Sequence, residues 1–253
     1  MILRMPRKLR IEYPGAMYHV MSRANGTGHI FEGDVDRRDV VKTLAETCEK
    51  AGVEVHAYCL LHTHFHLVVE TPNGNLVAGM RWLLSAYTLR FNPRHQRFGH
   101  VFSGRYKALI VDGSSHGYLR SVCDYAHLNP VRAKLLRSEQ RLLEYPWSSF
   151  GLYLAAPAHR PAWLRVDRLL GEHGIPREDV AGRERFEEWM ENRRAAETDG
   201  TEWKAIRRGW CLGPAEFKAT LLEQLEGRLG QHHSGELKRE SAAATAERII
   251  RED

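Results

Sequence analysis

His64-Phe65-His66 is the triplet in this chain with the clearest chemical potential. Alternate residues of a strand point to the same face, so two imidazoles at this spacing stand side by side, with Phe65 turned the other way into a core. Two neutral imidazoles can hold a divalent cation. The spacing also arises by chance in a chain with 14 histidines. His62 continues the alternation, but it falls at a turn and is read as a non-ligand. Tyr125 and Asn129 are four residues apart, which puts one above the other on a helix face. A phenol exposed there can attack phosphorus when a metal polarises the phosphate. The amide oxygen of Asn129 can complete the ligand set. Both residues also have a purely structural reading. Tyr118 and Val122 share the stripe of Tyr125, which makes it a packing residue, and Asn129 before Pro130 suits the N-cap of a short helix.

A third feature is electrostatic. No carboxylate lies between Glu70 and Asp112, whereas the same stretch holds Arg81, Arg90, Arg94, Arg97, Arg105 and Lys107. Tyr87, Phe91, Phe98, Phe102 and Tyr106 are interleaved with them. Guanidiniums pair with phosphates and rings stack on bases, so the pattern suits a nucleic-acid strand. The alternative is an aromatic core beneath a solvated basic face. Residues 1–150 carry 20 basic against 13 acidic side chains, and residues 151–253 carry 17 against 19, within a net charge of +5. The first part is therefore a basic body that invites a polyanion.

The elements that must position these groups follow from periodicity. Met17–Ser22, Val53–Leu61, His64–Glu70 and Tyr106–Val111 alternate as strands, the middle two forming a hairpin about His62-Thr63. Asp34–Ala51, Leu76–Phe91 and Ser114–Leu128 carry helical spacing, the first ending at Gly52 and the third capped by Ser114 or Ser115. The order β-α-β-β-α-β-α predicts an α+β, ferredoxin-like split βαβ domain, an antiparallel sheet with helices on one face. It occupies residues 1–150. A mainly helical extension follows over residues 151–253, with Ala215–Leu229 its last clear helix and an AERIIRED end that reads as an interrupted helix in a truncated chain.

An apolar fraction of 43% supports a packed core and excludes global disorder. No apolar run spans a membrane, and the basic N-terminus lacks the apolar stretch of a secretory signal. Cys48, Cys59, Cys123 and Cys211 are far apart, which predicts buried thiols in a reducing compartment and no disulfide or zinc framework.

Four blocks, PRKLRIEYPGAMYHVMSRAN, HAYCLLHTHFHLVVETPNGNL, RFGHVFSGRYKALIV and DYAHLNPVRAKLL, together resemble the REP-associated tyrosine transposases, relatives of the single-tyrosine HUH insertion-sequence enzymes. The resemblance covers roughly residues 6–150 and touches GWCLGPAEF in the extension. It implies that His64 and His66 are metal ligands, that Asn129 is a third, and that Tyr125 is the nucleophile. It implies Mg²⁺ or Mn²⁺, although imidazoles alone suit Zn²⁺ equally. The implied reaction is a transesterification on single-stranded DNA that leaves a covalent 5′-phosphotyrosine. The implied substrate is a palindromic repeat folded as a hairpin. Arg90, Arg94, Arg97, Arg105 and Lys107 are then the expected phosphate contacts, with Arg10 and Arg23 as weaker candidates. A monomer acting in the cytoplasm, at the nucleoid, is expected. The family usually has Pro-Asn before its motif, where this chain has His62-Thr63, a difference that bears on what surrounds His64. Two other classes remain open: a hairpin-binding regulator that does not cleave, and a hydrolase with His62, His64 and His66 as ligands.

Overall fold

The computed structural model describes residues 11–114, 117–197 and 203–224. Strand β1 (Ala16–Arg23), helix α1 (Asp34–Ala51), strands β2 (Glu54–Leu60) and β3 (His64–Thr71), helix α2 (Leu76–Arg94), strand β4 (Lys107–Val111) and helix α3 (Tyr118–His127) follow in the expected order. Their sheet order is β2-β3-β1-β4, with each neighbouring pair antiparallel. This is the α+β split βαβ arrangement, because each helix carries the chain across one intervening strand.

Three details differ from expectation. Helix α3 starts at Tyr118, after Gly117 at φ 79°, and not at Ser114. Ser114 instead folds back on Asp112, its backbone N–H donating to Oδ1 at 2.9 Å and its hydroxyl to Oδ2 at 2.7 Å. The helices also occupy both faces of the sheet. Val40, Val41 and Leu44 of α1 and Leu83 of α2 meet Tyr58, Leu60, Phe65 and Leu67 on one face. Tyr125 of α3 meets His19 and His66, which strand alternation turns to the other. Finally, a short strand β5 (Cys211–Leu212) adds to β4 in parallel.

The residues after Tyr145 close the sheet's other edge. Leu60 N–H donates to Trp147 O at 2.8 Å, Ser149 N–H to Tyr58 O at 2.9 Å, and Arg165 N–H to Val55 O at 2.8 Å. An open strand edge is thereby covered. Short helices α4 (Asn129–Arg132), α5 (Phe150–Leu154) and α6 (Asp167–Glu172) are followed by α7 (Val180–Ala196), α8 (Lys204–Arg208) and α9 (Ala215–Gln224). This C-terminal region is mainly helical, and Phe150, Tyr153, Phe186, Met190 and Trp203 join the same buried hydrophobic cluster as the strands. Among the described residues no disulfide forms and no helix is long and apolar enough to cross a membrane. Arg10, Ser115 and the tail beyond Gln224 lie outside the described residues.

Candidate active site

The hairpin between β2 and β3 is closed by Leu61 N–H donating to His64 O at 2.8 Å. From there the side chains alternate. Phe65 is 1% exposed and packs edge-on against Phe102 in the α1–α2 layer, as its apolar character predicts. His64 and His66 face α3, with ring centroids 5.0 Å apart. The antiparallel register of β1 sets Met21 opposite His66 and Arg23 opposite His64. It also brings His19 to the same face, with its Nε2 2.9 Å from Nδ1 of His66. Helix α3 lays Tyr125 over both, its ring centroid 5.5 Å from His66 and 5.4 Å from His19. Three imidazoles and one phenol thus form a single cluster.

Its electrostatics favour neutral imidazoles. Burial, with His19, His64 and Arg132 nearby, holds His66 well below the usual histidine range. Burial and Arg132 push His19 down to about 4. Burial and the adjacent Arg23 lower His64 as well. Neutral imidazole is the form that binds a metal. The Nε2 of His66 is buried with no hydrogen-bond partner, so it is a nitrogen whose needs a cation would meet. The residues therefore fit a divalent metal. Thr63 Oγ1 lies 3.1 Å from Nδ1 of His64, so the hairpin turn touches the first histidine of the pair.

The phenol of Tyr125 is 5% exposed. Burial raises its pKa, while Arg132 and Arg207 work against that rise. The Arg132 guanidinium sits 4.1 Å from the ring centroid and pairs with Glu197 at 3.1 Å. Trp203 packs against the same ring with centroids 5.6 Å apart. Asn129 is the first residue of α4 and does not cap it. Its Nδ2 donates to the Tyr125 carbonyl at 3.0 Å, so its amide oxygen is the atom left to offer a cation.

Residues 12–127 match the family described as Transposase IS200 like. The resemblance carried by the sequence blocks is thereby found again over this segment. Among solved structures, a REP-associated tyrosine transposase bound to a REP hairpin shares the fold, with a TM-score of 0.50 and 15% identity over 65% of this chain and 93% of that one. No curated protein matches.

Within the matched segment the expected phosphate-binding residues separate into two groups. Arg90 pairs with Glu46 at 2.7 Å, Arg94 with Asp36 at 2.8 Å and Asp39 at 2.9 Å, and Arg97 with Glu32 at 2.7 Å. These bridges tie α2 and the segment after it to α1 and the segment before it, in the layer across the sheet from the histidines. The carboxylates missing from residues 71–111 are supplied by tertiary contact. Arg23 and Lys107 are exposed. They flank the histidine face, with Arg23 opposite His64 and Lys107 in the row of Met21 and His66. Arg105 is exposed just ahead of β4. His62 turns to Arg37, whose Nη2 is 2.9 Å from its Nδ1.

His19 and Arg132 went unread in the sequence. A histidine inside the strand that pairs with the His64-Phe65-His66 strand was the available signal for His19. For Arg132, seven residues beyond the tyrosine, spacing alone distinguishes nothing from an ordinary helix surface. A second polar cluster, Glu54, His56 and Glu70, has ligand atoms within 4.8 Å of one another at the other end of the same face. Its carboxylates already meet Arg165 at 2.6 and 3.3 Å and Arg168 at 3.1 Å, so the positive charge a cation would bring is present.

Proposed function

We propose that this protein is a transposase-type enzyme that cleaves and rejoins single-stranded DNA through a covalent tyrosine intermediate. The observation that carries this reading is the convergence of Tyr125 with His64 and His66 on one face of the sheet, with His66 Nε2 unpartnered. His64, His66 and the amide oxygen of Asn129 would hold a divalent metal, Mg²⁺ or Mn²⁺. Bound there, the metal supplies Lewis-acid polarisation of the scissile phosphate. Tyr125 Oη forms the new bond to phosphorus as the bond to the 3′ oxygen breaks. The phenolic proton ends on the departing 3′-hydroxyl, and a 5′-phosphotyrosine remains. A 3′-hydroxyl from a second strand reverses the step, so no external energy source is needed. Arg132, over the ring, favours the phenolate character that develops during attack.

The substrate class proposed is a hairpin-forming palindromic repeat, by analogy with the hairpin bound to the transposase of similar fold. Arg23, Lys107 and Arg105 are the proposed phosphate contacts beside the histidines. The action is at genomic DNA, in the cytoplasm, by a monomer. The test incubates the protein with single-stranded repeat oligonucleotides and Mn²⁺ and runs a denaturing gel. A covalent adduct is expected with the wild type and none with Tyr125→Phe; an adduct that survives Tyr125→Phe refutes the assignment.

A second reading, hairpin binding without cleavage, is favoured by one observation: Tyr125 lies buried beneath Arg132 and Trp203. It predicts salt-dependent binding that neither a chelator nor Tyr125→Phe alters.

A further inference from the structure

His19 has no part in the proposed reaction, yet its Nε2 lies 2.9 Å from Nδ1 of His66. The two rings are nearly parallel, 5° apart, with centroids separated by 5.1 Å and the facing nitrogens by 2.9 Å. Rings stacked face to face with centroids so far apart could not bring two ring nitrogens this close. The rings therefore meet edge to edge, and the N···N vector runs along the line joining them. This is the geometry of an in-plane N–H···N hydrogen bond, which one imidazole donates and the other accepts.

Two tautomeric arrangements satisfy that bond. In one, His19 donates and His66 carries its proton on Nε2, which blocks that nitrogen as a ligand. In the other, His66 donates from Nδ1 and presents a lone pair at Nε2. The Nε2 atom of His66 is buried without a partner. Only the second arrangement lets a cation satisfy it. A histidine that ligates a metal through one nitrogen commonly donates through the other to a fixed acceptor, which sets the tautomer and the ring plane.

We infer that His19 is a positioning residue that accepts the Nδ1 proton of His66 and so aims the His66 Nε2 lone pair at the cation. It rests on the metal assignment of the proposed function, and it assigns to β1 a role in that site. Backbone pairing makes the arrangement rigid. His19 stands opposite Val68 and Met21 opposite His66, so the two imidazoles belong to neighbouring rows of one sheet face and need no loop to bring them together.

Two measurements on the full chain test it. The first is histidine ¹⁵N NMR of the metal-free protein. The expected result is His66 protonated at Nδ1, with a coupling across the hydrogen bond to Nε2 of His19. A His66 protonated at Nε2 overturns the inference. The second is Mn²⁺ affinity read from the electron paramagnetic resonance of the free ion. His19→Phe keeps a ring of similar size without an acceptor and is expected to bind Mn²⁺ about 10–100-fold more weakly. His19→Gln offers an amide oxygen near the same position and is expected to restore affinity to within about threefold of wild type. Equal affinity of His19→Phe and wild type, or a glutamine variant as weak as the phenylalanine one, sinks the positioning role. Loss of folding in His19→Phe leaves the NMR result on the wild type to decide. A wild type that takes up no Mn²⁺ at all refutes the metal assignment of the proposed function, while the tautomer is still read without metal.

Discussion

Replacing Arg23 and Lys107 together by alanine, and separately replacing Arg94 by alanine, sets two kinds of arginine and lysine against each other. Arg23 and Lys107 are exposed beside the histidines, whereas Arg94 is held between Asp36 and Asp39. Each phosphate of a single strand that the protein ceases to neutralise lowers the slope of log affinity against log salt by about 0.7. The double variant is therefore expected to lose about 1.4 from that slope. Between about 50 and about 200 mM salt, its deficit relative to wild type shrinks by roughly sevenfold. Arg94→Ala does something different. Asp36 is 1% exposed and receives the guanidinium, His95 and the Glu32 backbone N–H. Removing one charged donor from a buried carboxylate costs about 1–3 kcal/mol of stability. In a domain of this size that lowers the melting temperature by about 2–4 °C per kcal/mol. The assays are fluorescence anisotropy with a labelled hairpin across a salt series, and differential scanning calorimetry. A folded Arg94→Ala protein that loses salt slope, beside an Arg23→Ala/Lys107→Ala protein that does not, refutes the division of the basic residues drawn from the fold.

Other perturbations give separate checks. Burial pushes Asp36 up, but His95, Arg94 and the Glu32 amide outweigh it and hold the carboxyl below its ordinary 3.8. A lowered acid stabilises the fold fully above its unfolded pKa, and that share is lost as pH falls through the folded value. Urea midpoints measured from pH 5 downward are expected to fall below about pH 4, with a shallower fall in Asp36→Asn; equal slopes in the two proteins contradict this. Ser149 joins the extension to the sheet, its Oγ accepting from Tyr58 N–H at 2.9 Å and lying 2.8 Å from His127 Nε2. Ser149→Ala strands both buried groups and is expected to cost about 1–3 kcal/mol in chemical denaturation. Arg132→Met removes the stronger of the two cationic influences opposing the rise of the Tyr125 pKa. Its phenol is expected to titrate at higher pH by tyrosine ¹³C NMR, and adduct formation to slow; an unchanged titration rules out a role for Arg132 at the phenol.

Local pattern determined a good deal of this protein. The alternation of β1 to β4, the spacing of α1 and α2 and the Gly52 stop made the split βαβ order legible, because strand and helix periods are written in the residues themselves. The same alternation put His64 and His66 on one face and Phe65 on the other. It was silent on partners across the sheet. That His19 meets His66 depends on the register of β1 against β3, set by pairing between residues 47 positions apart. The start of α3 depended on Asp112 claiming Ser114. The basic stretch between Glu70 and Asp112 shows the limit most plainly. Linear sequence makes it a field of uncompensated charge, but Coulomb attraction acts through space and not along the chain. Folding α2 onto α1 brought Asp36, Asp39 and Glu46 to its arginines, and left Arg23 and Lys107, on two different strands, exposed beside the histidine face.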